Sequence, residues 1–91
     1  MKKRTRLEVL KDILDILGKR REVKITHLVY KANLSNNSIK PYIEYLLENN
    51  LTELKKTKAG KRYIITTKGQ EFLNEFEKIK IFSESYGLDK F

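Results

Sequence analysis

A mainly helical α+β fold is predicted by three observations on the sequence. The chain has 91 residues, near the lower end of what one hydrophobic core stabilises, so a single structural domain is expected. Four stretches repeat apolar residues at helical spacing, which indicates four helices. Before the last of them, two short runs of strand-like composition flank a glycine-containing turn, a pattern typical of a β-hairpin.

The first predicted helix begins at Thr5, because Thr5-Arg6-Leu7-Glu8 has the S/T-x-x-E form of a capping box. Its apolar positions follow at helical spacing and are Leu7, Leu10, Ile13, Leu14 and Leu17. Gly18 is predicted to end this helix in the left-handed conformation. Residues 19–21 then form a basic loop.

A short strand and a short second helix are predicted next. Val23 and Ile25 alternate with charged residues, which favours a strand. Thr26 is the predicted N-cap of the second helix. The polar turn Asn33-Leu34-Ser35 ends that helix and directs its leucine into the core.

The third helix is predicted to run from Ser35 to about Asn50, since asparagine suits a left-handed helix end. Pro41 lies inside this stretch, although a proline within a helix removes a hydrogen bond at a cost of roughly 3 kcal/mol. Two starts therefore remain open. A late start has Asn37 or Ser38 as the cap and the proline in the first turn. An early start at Ser35 bends the helix at the proline, and the position of the preceding leucine favours it.

The hairpin and the last helix complete the chain. Residues 51–57 and 62–66 are the predicted strands, and residues 58–61 form the turn between them. Thr67-Lys68-Gly69-Gln70 has a T-x-x-Q capping-box pattern that opens the last helix. That helix is predicted to end or bend between Ser83 and Gly87, where the helical signal weakens.

The order of these elements predicts a winged helix-turn-helix with a three-helix core. Two helices joined by a turn of three or four residues form the helix-turn-helix, and the hairpin after the second of them is the wing. Within one structural domain, residues 1–66 are assigned to the DNA-binding winged helix-turn-helix. Residues 67–91 are assigned to a C-terminal helix and tail that form a dimer interface.

Catalytic and metal chemistry have little support in the sequence. There is no cysteine and only one histidine, His27, which excludes a thiol–histidine pair and the common zinc sites. His27 is interpreted as a surface or half-buried packing residue. The four glycines are isolated, so they form no phosphate-binding loop. We expect no enzyme activity, no cofactor, no metal and no small-molecule effector.

The net charge of +8 is concentrated in two segments. Residues 1–24 hold nine Lys/Arg and four Asp/Glu, and residues 51–68 hold six and one, so each segment carries +5. Lys and Arg near phosphates release condensed counterions, so these segments predict a polyanion partner. A lysine-rich solvated surface is the alternative. Charges also interrupt the first apolar run, which argues against a membrane span and favours a cytoplasmic location.

The third helix presents the first set of candidate DNA contacts. In helix-turn-helix proteins the N-terminal part of the second of the two helices meets base edges in the major groove, where asparagine can pair with adenine and lysine with guanine. The outward residues of the first turns are predicted to bind DNA, and they are Asn36, Asn37, Ser38, Lys40, Pro41 and Tyr45. The alternative for Asn36 to Ser38 is that they only cap the helix.

The wing and the N-terminus supply further candidates. The wing residues predicted to contact the phosphate backbone or an adjacent minor groove are Lys56, Lys58, Lys61 and Arg62. Lysines that protect an edge hairpin from aggregation are the alternative. Lys3 and Arg4 are predicted to belong to a mobile basic arm that also binds DNA.

The last helix carries more apolar surface than one-sided packing needs. An exposed apolar stripe usually marks an interface, so we expect a homodimer. The predicted interface residues are Phe72, Leu73, Phe76, Ile79 and Phe82. Packing of the same residues on the first helix is the alternative.

Residues 5–82 resemble the small archaeal winged-helix proteins, a group of predicted transcriptional regulators and chromosomal DNA-binding proteins. The resemblance rests on Leu7-Glu8-Val9-Leu10, on Asn33-Leu34-Ser35, and on residues 42–51 and 65–73. It implies a winged helix-turn-helix that binds double-stranded DNA as a dimer, often through a long C-terminal helix in an antiparallel coiled coil. The early end of the last helix and Pro41 depart from that pattern.

The sequence thus predicts a double-stranded DNA-binding protein, a dimeric transcriptional regulator located at the nucleoid. Its recognition helix is expected in the major groove and its basic wing on the phosphate backbone or minor groove. Two alternatives remain open. One is a non-specific chromosomal architectural protein, and the other is a winged helix that serves as a protein-interaction module.

Overall fold

The computed structural model describes residues 4–87 and contains four helices and one antiparallel hairpin. In chain order the elements are α1 Arg6–Lys19, α2 Ile25–Lys31, α3 Asn36–Glu48, β1 Thr52–Thr57, β2 Gly60–Ile65 and α4 Thr67–Ser85. Helices α2 and α3 form the helix-turn-helix, and the hairpin of β1 and β2 is the wing. The predicted mainly helical, winged helix-turn-helix fold class is confirmed.

The core lies where α1, α2 and α3 meet. Each helix buries one apolar stripe, as the helical spacing predicts, and these stripes pack on each other and on the start of the wing. The buried apolar side chains are Val9, Ile13, Leu14, Leu17, Val23, Leu28, Ala32, Ile39, Ile43, Leu46 and Leu51. Leu7, by contrast, stays 50% exposed on α1.

The start of α1 is confirmed and its end is corrected. The Thr5 hydroxyl accepts a hydrogen bond from the Glu8 amide, and the Glu8 carboxylate accepts one from the Thr5 amide, both at 3.1 Å. The predicted left-handed end at Gly18 is wrong, since α1 continues to Lys19 and Arg20 is the C-cap. Gly18 instead lies inside the helix, where α1 passes close to Leu73 of α4.

The segment before α2 makes one β-bridge rather than a strand of several residues. Val23 exchanges two backbone hydrogen bonds with Tyr63 of β2, at 2.9 and 2.7 Å. The chain then turns directly into α2, so Ile25 is its first helical residue and Lys24 its N-cap, without a side-chain hydrogen bond. The strand predicted at Ile25 and the cap predicted at Thr26 are therefore wrong.

The turn between α2 and α3 fixes the start of the recognition helix. Asn33 adopts a left-handed conformation with φ of 56°. Ser35 is the N-cap of α3, and its hydroxyl accepts a hydrogen bond from the Ser38 amide at 3.0 Å. The early of the two predicted starts is confirmed, and Pro41 lies inside the helix. Asn50, with φ of 59°, is left-handed just after α3, as expected.

The wing has a tighter turn than predicted, and α4 starts one residue earlier. Two residues, 58 and 59, connect the strands, and Gly60 pairs with Thr57 at a φ of 113°. Thr66, not Thr67, is the N-cap of α4 and accepts a hydrogen bond from the Gly69 amide at 3.0 Å. The hydroxyl of Thr66 also donates to the Asn50 carbonyl at 2.6 Å, which ties this cap to the end of α3.

Helix α4 makes the molecule elongated. It ends at Ser85, within the predicted interval. The Cα radius of gyration is 14.1 Å, whereas a globule of this length has about 12 Å. The difference arises because the second half of α4 extends beyond the core, leaving Ile79 65% and Phe82 56% exposed. Within residues 4–87, no helix combines the length and apolar content required of a transmembrane span.

Candidate nucleic-acid interface

The first two turns of α3 form an exposed polar surface. Asn36, Asn37, Lys40 and Pro41 are all exposed, and no acidic residue lies in the first turn. The Ser38 hydroxyl is partly engaged, because it accepts a hydrogen bond from the Ser35 hydroxyl at 2.7 Å. The structure therefore gives Ser38 a part in the cap and leaves the amides of the two asparagines at the surface.

Pro41 leaves one backbone acceptor of α3 without its usual donor. In an α-helix each amide donates to the carbonyl four residues earlier, and proline has no amide hydrogen. The Asn37 carbonyl therefore lacks the amide donor that residue 41 would normally supply, at an exposed position of the helix. Tyr45, one turn further along, is also exposed, whereas Tyr42 is half-buried against the core.

Replacing Pro41 with alanine is expected to stabilise the free protein by about 1–3 kcal/mol, because a helical hydrogen bond is restored and the ring clash is removed. Chemical denaturation of both proteins measures this difference. We also expect weaker duplex binding by the variant. A variant that is no more stable than the wild type would show that α3 already accommodates Pro41 without strain.

The wing places like charges directly opposite each other. Lys55 pairs with Arg62 across the strands, and Lys56 pairs with Lys61. Such pairs destabilise a hairpin by roughly 0.2–1 kcal/mol each, so folding alone does not account for them. Lys55 lies 3.6 Å from the Glu22 carboxylate. Within the part of the chain that the structure describes, Lys56, Lys58 and Lys61 form no ion pair and are exposed.

A cleft joins the recognition helix to the wing. Its volume is about 470 Å³, and its walls include Ile25 at the start of α2, Asn36 and Lys40 on α3, and Tyr63 on β2. The polar first turns of α3 and the base of the wing therefore lie on one side of the molecule. Glu44 also lines this cleft, and its negative charge limits the anion-compatible surface of α3 to the first two turns.

The described part of the N-terminus is fixed to the core. The Arg4 guanidinium donates to the Asp12 carboxylate at 2.8 Å and to the Ala32 carbonyl at 2.6 Å. A DNA contact by Arg4 requires these bonds to break, so the structure does not favour the predicted mobile arm at this residue. Lys3 lies outside the described residues.

Arg6 is a neighbour of the recognition helix that sequence reasoning did not place there. It lines a groove of about 680 Å³ between α1 and α3, together with Ser38, Pro41 and Tyr45. The proximity depends on how α1 packs across α3. The basic character of the N-terminus was the only signal in the sequence that pointed to it.

The five predicted interface residues fall into two groups. Phe72 and Leu73 are half-buried and pack against the core, and Phe76 is half-buried with its ring centroid 6.4 Å from that of Phe72. Ile79 and Phe82 are exposed on the projecting half of α4. Tyr86, which the prediction omitted, extends this exposed group, with its ring centroid 4.6 Å from that of Phe82.

Solved structures share this architecture. Sso10a-2, a DNA-binding protein from Sulfolobus solfataricus, superposes with a TM-score of 0.79 over 96% of this chain and 90% of that chain, at 26% identity. A MarR family transcriptional regulator from Silicibacter pomeroyi superposes with a TM-score of 0.72 over 86% of this chain and 54% of its own, at 15% identity. The second likeness is one of fold alone.

Comparison of the sequence with known proteins identifies the family. An uncharacterized protein of Methanocaldococcus jannaschii, MJ0290, is 34% identical over 77 residues, which cover 85% of this chain. The chain spans about a third of the length of that curated relative, 34%. The family model described as winged helix-turn-helix matches residues 3–84, nearly the whole sequence. The chain therefore belongs to the winged helix-turn-helix family.

Proposed function

We infer that this protein binds double-stranded DNA through α3 and the wing. The observation that carries the proposal is the arrangement of two surfaces on one side of the molecule. The acid-free first turns of α3 lie across a cleft from a hairpin that holds its lysines in repulsive cross-strand pairs. A bound polyanion relieves that repulsion by placing negative charge next to the lysines. The likeness to the DNA-binding protein Sso10a-2 supports the same function.

We assign the recognition of bases in the major groove to α3, and the positioning of the protein on the duplex to the wing. Asn37 and Lys40 have the side chains that pair with adenine and guanine edges, and the exposed first turns of α3 present them. Lys56, Lys58 and Lys61 then contact phosphates or the adjacent minor groove, which sets the register of the protein on the duplex. Beyond the second turn, Glu44 and Glu48 repel phosphate, so the reading surface is short.

A homodimer is the proposed assembly, through the projecting half of α4. Ile79, Phe82 and Tyr86 lie on one side of that half-helix and are exposed, although a small monomer rarely exposes contiguous apolar side chains. Leu7 of α1 faces the same groove beside α4 as Ile79 and enlarges the apolar area. Two recognition helices in one dimer suit a transcriptional regulator that binds paired half-sites at the nucleoid.

The salt dependence of duplex binding tests the function. We expect affinity to fall steeply with salt, and each of the variants Lys56→Ala, Lys58→Ala and Lys61→Ala to lower the log–log slope by about 0.9. Each is also expected to weaken binding roughly 3- to 10-fold at about 100 mM salt. Mobility-shift titrations across a salt series measure both quantities.

Lys78→Ala is the control, because Lys78 is also an exposed lysine but lies on α4, away from the wing, where it pairs with Glu75 at 3.3 Å. It is expected to leave the slope unchanged. No duplex binding by the wild type at about 50 mM salt, where phosphate contacts are strong, would contradict the proposed function and favour a protein-interaction module.

A further inference from the structure

A pocket beside the wing collects cationic side chains from three separate segments. Arg20 follows α1, Lys24 caps α2 and Arg62 lies on β2, and all three line one cavity of about 230 Å³. His27, in the first turn of α2, lines the same cavity. A water molecule occupies about 30 Å³, so the space holds a phosphate group with several waters. We call these four residues the cationic pocket.

The acidic residue in this pocket is already paired. Glu22 also lines the cavity, and its carboxylate lies 3.6 Å from the ammonium group of Lys55 on β1. The three cationic side chains of the pocket therefore face a carboxylate that is already paired with a fourth cation. An anion that enters the pocket is therefore attracted by a net positive charge.

The cationic pocket and the cleft beside α3 lie on the two faces of the wing. Lys24 directly precedes Ile25, and Arg62 directly precedes Tyr63, and those two apolar residues line the cleft beside α3. The backbone bridge between Val23 and Tyr63 holds the two sides of the pocket together. Successive side chains of a strand point to opposite faces, so Arg62 and the pocket lie on the other face of β2 from Tyr63 and the cleft.

We propose that the cationic pocket binds a phosphate group of the DNA backbone, with Arg20, Lys24 and Arg62 as the charged partners and His27 as a titratable one. The proposal rests on the proposed function and adds to it a defined phosphate site outside α3 and the wing tip. Guanidinium groups suit this ligand because they can donate two parallel hydrogen bonds to phosphate oxygens.

Protonation of His27 is coupled to this binding. In the free protein, burial lowers the pKa of His27 below 6.5, and repulsion from Arg20 and Lys31 lowers it further. The charged groups that face or adjoin the imidazole are Arg20, Glu22, Lys24, Lys31 and Arg62. A phosphate opposes the cations and raises the pKa of His27. Duplex affinity therefore increases as the pH falls from the pKa of the complex to the lower pKa of the free protein.

The titration of the single histidine tests the proposal directly. NMR measures the pKa of His27 in the full chain, alone, with duplex DNA, and with inorganic phosphate at an ionic strength matched by chloride. We expect the pKa to rise with DNA. For Arg20→Gln we expect that rise to shrink, the duplex Kd to increase about 3- to 10-fold near 100 mM salt, and the salt slope to fall by about 0.9.

Arg21→Gln is the matched control, since Arg21 is an exposed arginine in the same loop but is not among the residues that line the pocket. It is expected to change the Kd less than twofold. If the wild type binds duplex while the His27 pKa stays unchanged and the two variants behave alike, the phosphate site is refuted and the proposed function stands.

The titration with inorganic phosphate distinguishes a DNA phosphate site from a site for a free phosphate group. If the wild type fails to bind duplex, the proposed function is wrong. The effect of inorganic phosphate on the His27 pKa then tests whether the pocket binds phosphate at all. A rise of the His27 pKa in phosphate but not in chloride then supports a site for a free phosphate group. No rise with either ligand overturns the proposal.

Discussion

Replacing Gly69 with alanine is expected to destabilise the protein by about 2–3 kcal/mol. Gly69 is buried in the first turn of α4, and an added Cβ would lie 2.7 Å from Cγ1 of Ile65 and still closer to the Leu51 carbonyl oxygen. The Leu51 carbonyl oxygen belongs to the backbone, so it cannot rotate away as a side chain can. Overpacking typically costs about 1–3 kcal/mol and more where the obstacle cannot move, so about 2–3 kcal/mol remains after the roughly 1 kcal/mol that alanine gains over glycine in a helix is subtracted.

Gly18→Ala is the matched control for this prediction. Both glycines are helical, but a Cβ at Gly18 comes no closer than 3.4 Å to any side chain, and the nearest atom is the flexible end of Gln70. This alanine is therefore expected to stabilise α1 by up to about 1 kcal/mol. Had Gly18 been the left-handed cap that its position suggests, the same change would destabilise the protein instead.

Urea denaturation at one protomer concentration measures both variants, because the stability of a dimer depends on concentration. A loss of 2–3 kcal/mol corresponds to a fall of roughly 10–20 °C in Tm for a chain of this size. Equal stability of Gly69→Ala and the wild type would show that α4 does not approach the end of α3 as closely as described.

Phe82→Glu is expected to convert the proposed homodimer into monomers. The substitution places a carboxylate in the exposed apolar group of Ile79, Phe82 and Tyr86, where a partner helix would have to desolvate it. We expect the dimer Kd to rise at least about 100-fold, which corresponds to about 2.8 kcal/mol. Sedimentation equilibrium or light scattering across a concentration series measures the change, and duplex affinity is expected to fall with it.

Ile81→Glu provides the comparison on the same helix. Ile81 is 54% exposed against 56% for Phe82, but neighbouring residues lie about 100° apart around a helix, so it faces another side of α4. It is expected to leave the dimer intact. A wild-type chain that is monomeric at about 100 μM would contradict the proposed dimer, and dissociation by Ile81→Glu alone would place the interface on the other side.

Local sequence patterns predicted the elements better than their ends. The capping box of Thr5 and Glu8 is a contact within one helical turn, and it was predicted correctly. Thr66 and Thr67 both qualify as caps by composition. The structure selects Thr66 because its hydroxyl also bonds the Asn50 carbonyl, 16 residues away in the chain. That contact between distant residues is invisible to a pattern of neighbouring ones.

In the candidate site, too, features set by neighbouring residues were predicted and features set by distant residues were not. The outward residues of α3 follow from helical spacing alone, so Asn37 and Lys40 were predicted and are exposed. The cationic pocket was not predicted, because Arg20, Lys24 and Arg62 belong to three segments that only the packed fold brings together. The start of α2 was missed for a related reason, since the Val23 bridge to β2 decides where that helix begins.

The bridge between Val23 and Tyr63 has a consequence for the thermodynamics of association. Its two backbone hydrogen bonds fasten the loop before α2 to the wing, so the backbone at the base of the wing is ordered before any partner arrives. Ordering a single residue costs about 1–2 kcal/mol of conformational entropy, which a free hairpin would lose at the moment of binding. In this protein, folding has already ordered the backbone at the base of the wing, so binding does not lose this conformational entropy again. Binding then has to immobilise mainly lysine and arginine side chains, at about 0.5–1.5 kcal/mol each.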